Sequence, residues 1–203
     1  MNVLRKNIGP LIVFLIFALA GSIIILVFPK LEIQKFTNSF YHPIGNSIFQ
    51  FLSHIAEGWF TIPLLIYLLI KSWRQFIFIG IIYGVSAFLT GIFKHFLWFI
   101  ERPFGVLDLK LSKTYKWVPG LDLHTVKSFP SGHTTTAFCL LFGLALIIKN
   151  KKIGVALMIL ACLIGISRTY LSLHFLMDLI SGAFLGVATA LGMYYIFKKK
   201  LNI

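Results

Sequence analysis

Long uncharged apolar runs alternate along the chain with shorter segments that hold nearly all of the charge. The first run, residues 9–28, is apolar throughout, and about 20 such residues in a helix cross the hydrocarbon core of a bilayer. Further runs predict helices over about 58–70, 76–99, 133–148, 153–167 and 175–197. The first run follows Arg5 and Lys6 and contains Ala18-Leu19-Ala20, which resembles a signal-peptide cleavage site. Its apolar character continues through 23–27, past the usual hydrophobic region of a signal peptide, which favours a retained anchor. Three runs, 58–70, 133–148 and 153–167, are short for a span. They suffice if their polar ends are buried in protein or line a cavity, which points to a site at one membrane face. The expectation is an all-α protein, a bundle of six transmembrane helices forming a single domain over 1–203.

Residues 29–57 are too polar to span. Ile33, Phe36 and Phe40 fall on one helical face, and after Pro43 so do Ile48, Phe51, Leu52 and Ile55. This spacing predicts two short helices lying in the membrane interface, with packing against the bundle as the alternative. In the last run Gly182 and Gly186 form a small-xxx-small pair, a mark of close helix packing rather than of activity.

Charge then orients the bundle. Six spans put Arg5, Lys6, Lys71, Arg74, Lys149, Lys151, Lys152, Lys198, Lys199 and Lys200 on one side, with no acid. The other side receives all six acids and nine basic residues. The short basic loops belong in the cytoplasm, so both termini are expected inside and the longer loops, 29–57 and 100–132, outside. The composition agrees: 58% of the 203 residues are hydrophobic and only 12% charged, more apolar than a water-soluble domain carries. The net charge of +13 does not point to nucleic acid, because the Lys and Arg are scattered between apolar runs. Cys139 and Cys162 lie inside apolar runs and read as small buried hydrophobes, not as a disulfide or metal framework. No low-complexity linker or obligate protein partner is evident.

Three polar clusters fall at the predicted outer ends of spans. One is Lys94 with Arg102-Pro103, the second Pro130-Ser131-Gly132-His133, the third Ser167-Arg168 with His174 and Asp178. Asp178, four residues after His174, shares its face on a helix; it can take a proton from one imidazole nitrogen and leave the other free to attack. A lone His/Asp pair is more often structural, but an Asp at the edge of a span is costly unless it has a partner or a task. Ser131 is placed as a helix N-cap, and Gly132 allows a ligand near the backbone. A helix N-terminus suits phosphate, and His133 beside it can protonate a leaving oxygen. Lys94, Arg102 and Arg168 offer cationic donors, Arg as a planar fork and Lys as a point charge. Singly, each could be a residue that snorkels or sets topology.

Together the clusters resemble the signature of the type 2 phosphatidic acid phosphatase superfamily, which includes the vanadium-dependent haloperoxidases and glucose-6-phosphatase. Its pattern is Lys, six residues, Arg-Pro; then Pro-Ser-Gly-His; then Ser-Arg, five residues, His, three residues, Asp. The second and third motifs match fully, and the resemblance spans about 94–178. In the first, seven residues separate Lys94 from Arg102, and strict spacing would select His95; Lys94 is favoured, since a helix end can absorb one insertion. The resemblance implies that His174 attacks phosphorus, oriented by Asp178, and that His133 protonates the leaving group. It implies that Lys94, Arg102, Ser131, Gly132 and Arg168 hold the phosphate, that water hydrolyses a phosphohistidine, and that neither metal nor cofactor is needed.

A site at a membrane face favours a lipid phosphomonoester or pyrophosphate: phosphatidic acid, phosphatidylglycerol phosphate, undecaprenyl pyrophosphate or a lipid A phosphate. The compact chain suggests a bacterial inner membrane, with the site on its outer face. The loop 104–129, with Lys110, Lys113, Lys116 and Lys127 around Tyr115 and Trp117, is expected to roof the site and meet an anionic headgroup. The competing classes are a transporter, a lipid-binding protein without catalysis and a vanadate-dependent haloperoxidase.

Overall fold

A computed structural model of the chain describes residues 5, 7–111 and 115–202, with the side chains of 108–111 left aside. Lys6 and Lys113, and the side chains of Asp108 and Lys110, lie outside what is described. The described residues form helices: α1 (Ile8–Val27), α2 (Lys30–Ser39), α3 (Pro43–His54), α4 (Gly58–Lys71), α5 (Trp73–Phe96), α6 (Pro103–Leu111), α7 (Gly132–Ile147), α8 (Lys151–Tyr170) and α9 (Leu176–Leu201).

Four of these, α1, α5, α8 and α9, are long and apolar enough to cross a membrane. α3 and α4 become a fifth if their pair, bent by 43°, counts as one broken span. α7 has 16 residues, fewer than a lipid-facing span needs. Its surroundings explain why so short a helix is apolar: every residue from Thr134 to Leu146 except Thr136 is buried. α7 is the central post of the bundle, packed on α9, α8 and α5. The outer helices have the reverse exposure. Ile12, Leu15, Ile16, Leu19 and Ile23 of α1 and Ile62, Ile66 and Ile70 of α4 all point outward, as they would toward lipid tails.

The glycine pair of α9 sits close against the α7 backbone. A Cβ on Gly186 would stand 2.5 Å from the Thr135 carbonyl oxygen, and one on Gly182 would stand 2.8 Å from that of Ser131. The absence of a side chain at both positions lets α9 lie directly on α7. Backbone contact continues to the start of α7, where the N–H of its N-cap Ser131 donates to the Asp178 carbonyl of α9 at 3.0 Å.

Two predicted helix ends need correction. α8 runs on through Arg168 to Tyr170, beyond the predicted end at 167, and α5 stops at Phe96 rather than 99. α2 and α3 carry the predicted apolar stripes, and Phe36, Phe40, Ile48 and Phe51 face outward, as helices lying in an interface would have them and not as helices packed by those stripes on the bundle. The buried residues are polar: Gln34 of α2, and Asn46 and Ser53 of α3.

Candidate active site

The C-terminal ends of α5 and α8 meet the N-terminal ends of α7 and α9, and the three polar clusters come together there. α8 ends in a tight turn in which the N–H groups of Leu173 and His174 both donate to the Arg168 carbonyl, at 2.9 and 3.2 Å. Ser172 takes a left-handed conformation with φ 59°. Its hydroxyl meets the Tyr115 hydroxyl at 2.6 Å and the Gln34 side-chain amide at 3.2 Å. The turn places His174 one residue before the α9 N-cap, Phe175.

His174 therefore precedes the helix, and its approach to Asp178 does not come from helical spacing. It comes from capping. Asp178 Oδ2 accepts from the Phe175 N–H at 3.0 Å and from the Ser128 hydroxyl at 2.5 Å, and lies 3.3 Å from His174 Nδ1. The carboxylate is fixed by two other donors, and the ring is held by Nδ1 with Nε2 left over. His174 is 1% exposed and Asp178 fully buried. Burial, and then Arg102, Arg168, Lys94 and His133 around it, hold the His174 imidazole well below the usual range, so it stays neutral. A neutral, oriented imidazole is a nucleophile.

The cations stand opposite. Lys94 Nζ lies 3.6 Å from where a Cβ on Gly132 would be, in ordinary contact. The chain between Lys94 and Arg102 leaves the helix at Phe96, so the extra residue falls in a loop. His95 is exposed and sits edge-on to Phe96. Lys94→Ala is expected to lower kcat/KM by about 10- to 100-fold and His95→Ala by less than about twofold. Steady-state kinetics in micelles would reverse this assignment if the two losses were exchanged.

Arg168 is buried, donates to the Ser53 hydroxyl, and keeps its Nε inside the protein without a partner. Arg102 donates to the carbonyls of Val126 (3.1 Å), Leu173 (3.3 Å) and Lys127 (3.5 Å), and so ties the 124–128 loop to the α8–α9 turn. Backbone bonds from Arg102 to Thr125 and from Ser128 to Ile100 complete the tie and bring Ser128 to His174. Ser131 is the N-cap of α7, its hydroxyl accepting from the Thr134 N–H at 3.4 Å and the Thr134 hydroxyl at 2.9 Å. His133 Nε2 lies 3.1 Å from Glu57 Oε1, and Glu57 Oε2 lies 2.8 Å from His54 Nδ1. Among the described residues, no three of His, Cys, Asp and Glu cluster as a metal site would.

The roof loop divides. Lys116 and Lys127 are exposed, whereas Tyr115 is buried in its bonds to Ser172 and Gln34, and Trp117 packs on Tyr115 and Phe104. Tyr115 braces the turn beneath it, because a buried phenol needs partners for its hydroxyl. Sequence reasoning missed Ser53, Glu57, Ser128 and Gln34. Only Glu57 left a signal, a carboxylate at the entrance of an apolar run.

An anion suits such a site. Three cationic side chains, Lys94, Arg102 and Arg168, stand against two carboxylates, Asp178 and Glu57, each bonded to an imidazole, and a buried guanidinium N–H without an acceptor is costly unless a ligand supplies one.

The chain is 28% identical over 179 residues to the "Bacitracin transport permease protein BcrC" of Bacillus licheniformis, covering 83% of this chain and 81% of that protein. It is 26% identical over 160 residues to "Phosphatidylglycerophosphatase B" of Bacillus subtilis (strain 168), covering 71% of each. The crystal structure of Aquifex aeolicus LpxE superposes with a TM-score of 0.71 at 26% identity, over 84% of this chain and 98% of that one. The sequence model of the PAP2 superfamily matches residues 75–202, a stretch that holds all three clusters, and the chain belongs to that superfamily.

Proposed function

We propose that the protein is a multi-pass membrane phosphatase that removes a phosphate from a lipid phosphomonoester or pyrophosphate through a phosphohistidine. The observation that carries this reading is the buried His174–Asp178 pair, held through Nδ1 and surrounded by Lys94, Arg102 and Arg168. In the first step the Nε2 lone pair of His174 attacks phosphorus and the bond to the leaving oxygen breaks, with His133 donating the proton. Lys94, Arg102, Arg168 and the α7 N-terminus at Ser131 and Gly132 carry the charge on the equatorial oxygens. In the second step water attacks phosphorus, gives its proton to His133, and releases His174. Every proton is accounted for by side chains of the chain, and the scheme uses no metal.

The substrate class follows from place. The site lies at one end of a bundle whose flanks are apolar, so a phosphate carried by a lipid reaches it from the membrane. The reading includes six passes in one domain: α7 needs no lipid-length apolar stretch because its neighbours shield it, and α3–α4 makes one bent pass. It also places the basic helix ends and both termini in the cytoplasm and the site on the outer face.

The test is phosphate release by purified protein, in chelator, from phosphatidic acid, phosphatidylglycerol phosphate, undecaprenyl pyrophosphate and a lipid A phosphate. Turnover of at least one, inhibited by vanadate, is expected. No release from any of them, with or without added divalent cation, would refute the reading in favour of a transporter or a lipid-binding protein.

A further inference from the structure

The break between α3 and α4 carries three polar side chains to the site: Ser53 on Arg168, Glu57 on His133, and His54 on Glu57. The helical pair bends by 43° there, and its side chains bond to His133 of α7 and Arg168 of α8. Glu57 occupies the N-cap position of α4 at the mouth of a long apolar run, but its side chain does not cap the helix: both its oxygens are taken by imidazoles. An isolated carboxylate in that position would be costly.

We propose that Glu57 is a positioning residue for the general acid: it holds His133 through Nε2, makes Nδ1 the nitrogen that exchanges the proton, and stabilises the imidazolium. This rests on the phosphatase reading. The two His–carboxylate pairs then have opposite duties. Asp178 holds His174 by Nδ1 and leaves Nε2 for phosphorus, while Glu57 holds His133 by Nε2 and leaves Nδ1 for oxygen.

The proton balance is closed. The imidazolium of His133 gives the Nδ1 proton to the leaving oxygen as the P–O bond breaks, and the neutral ring keeps its Nε2–H on Glu57. The attacking water returns a proton to Nδ1 as its oxygen bonds phosphorus and the P–N bond to His174 breaks. The groups that face His133 are Glu57 from the α3–α4 break, Lys94 from α5, Arg168 from α8 and His174 from the α8–α9 turn. Those facing Glu57 are His54, His133 and Arg168. Two cationic side chains, Arg168 and Lys94, oppose the charge on His133, and Glu57 is the acid bonded to it. An amide in its place leaves the charged ring without a counter-charge, and the acid form survives only to lower pH.

The experiment is the pH dependence of kcat for full-length protein in micelles with the panel lipid that turns over fastest. Glu57→Gln is expected to lower kcat at pH 7 by about tenfold and to move the alkaline limb down by about one pH unit, and Glu57→Asp to recover most of both. In a His133→Ala background Glu57→Gln should cost less than about twofold, since the two act as one unit. A limb that superposes on that of the wild type, or losses that multiply, would overturn the proposal and leave the phosphatase reading standing. Absence of turnover in the wild type would instead sink that reading. Nitrogen-15 spectra of histidine-labelled wild type, with His133 identified from the His133→Ala spectrum, decide the pairing in either event and require no change at Glu57. A neutral His133 carrying its proton on Nε2 supports the proposal, and one carrying it on Nδ1 overturns it.

Discussion

His174→Ala is expected to lower phosphate release by more than about 10³-fold, because the reaction then has no nucleophile to split it into two steps. The protein should still fold and enter the membrane. Removing the imidazole does not strand the buried carboxylate, since Asp178 Oδ2 keeps the Ser128 hydroxyl and the Phe175 N–H. The α8–α9 turn is fixed by main-chain bonds to the Arg168 carbonyl, which do not involve the ring. The remaining cost is a cavity at a fully enclosed position, about 1–3 kcal/mol. Phosphate release and size-exclusion behaviour in detergent, measured on one preparation, check both halves. A variant that runs as folded protein and keeps the wild-type rate would mean that the phosphoryl group never passes through this residue.

Much of this centre is written locally. The α7 start was legible because a cap followed by an apolar run is a short-range signal, and Ser131 caps α7 as read. His174 and Asp178 were paired for a helical reason, yet the pairing arises because Asp178 occupies the third position of α9 and reaches back over its cap. The apolar stripes of α2 and α3 were legible and face outward, as the interfacial reading has them, but the polar residues turned inward were not anticipated. Periodicity reports that a helix has two faces; which one turns inward depends on whether water or lipid lies outside, and here Gln34, Asn46 and Ser53 are the buried ones. The helices themselves were readable from hydropathy. The role of α7 as a central post was not, because a short apolar run reads the same whether lipid or protein surrounds it. Glu57 and Ser128 stayed hidden for another reason. Their partners lie 76 and 50 residues away, at His133 and Asp178, and only the bend at the α3–α4 break and the tie through Arg102 bring them near.

Arg168→Ala should cut kcat/KM by about 10³-fold, and Arg168→Lys should recover no more than about tenfold of that, since an ammonium cannot grip two phosphate oxygens as a guanidinium fork does. Arg168 sits in the last turn of α8, where the helix dipole favours a cation. Its side chain is nonetheless 7% exposed, next to Arg102 and Lys94, with an unpartnered Nε. Such a charge, which Glu57 offsets only in part, weakens the empty protein until an anion arrives. The substitution should therefore leave the melting temperature of the ligand-free protein unchanged or raise it, in contrast to ordinary truncation of a buried side chain. Inorganic phosphate or vanadate should raise the melting temperature of the wild type and fail to do so for Arg168→Ala, because only a site that binds the anion gains stability from it. Thermal melts in detergent with and without the anion, beside kinetics on one lipid, test this directly. Equal stabilisation of both proteins by phosphate, or a kcat/KM within about tenfold of the wild type, would show that the guanidinium braces the α3–α4 break through Ser53 and does not hold the substrate.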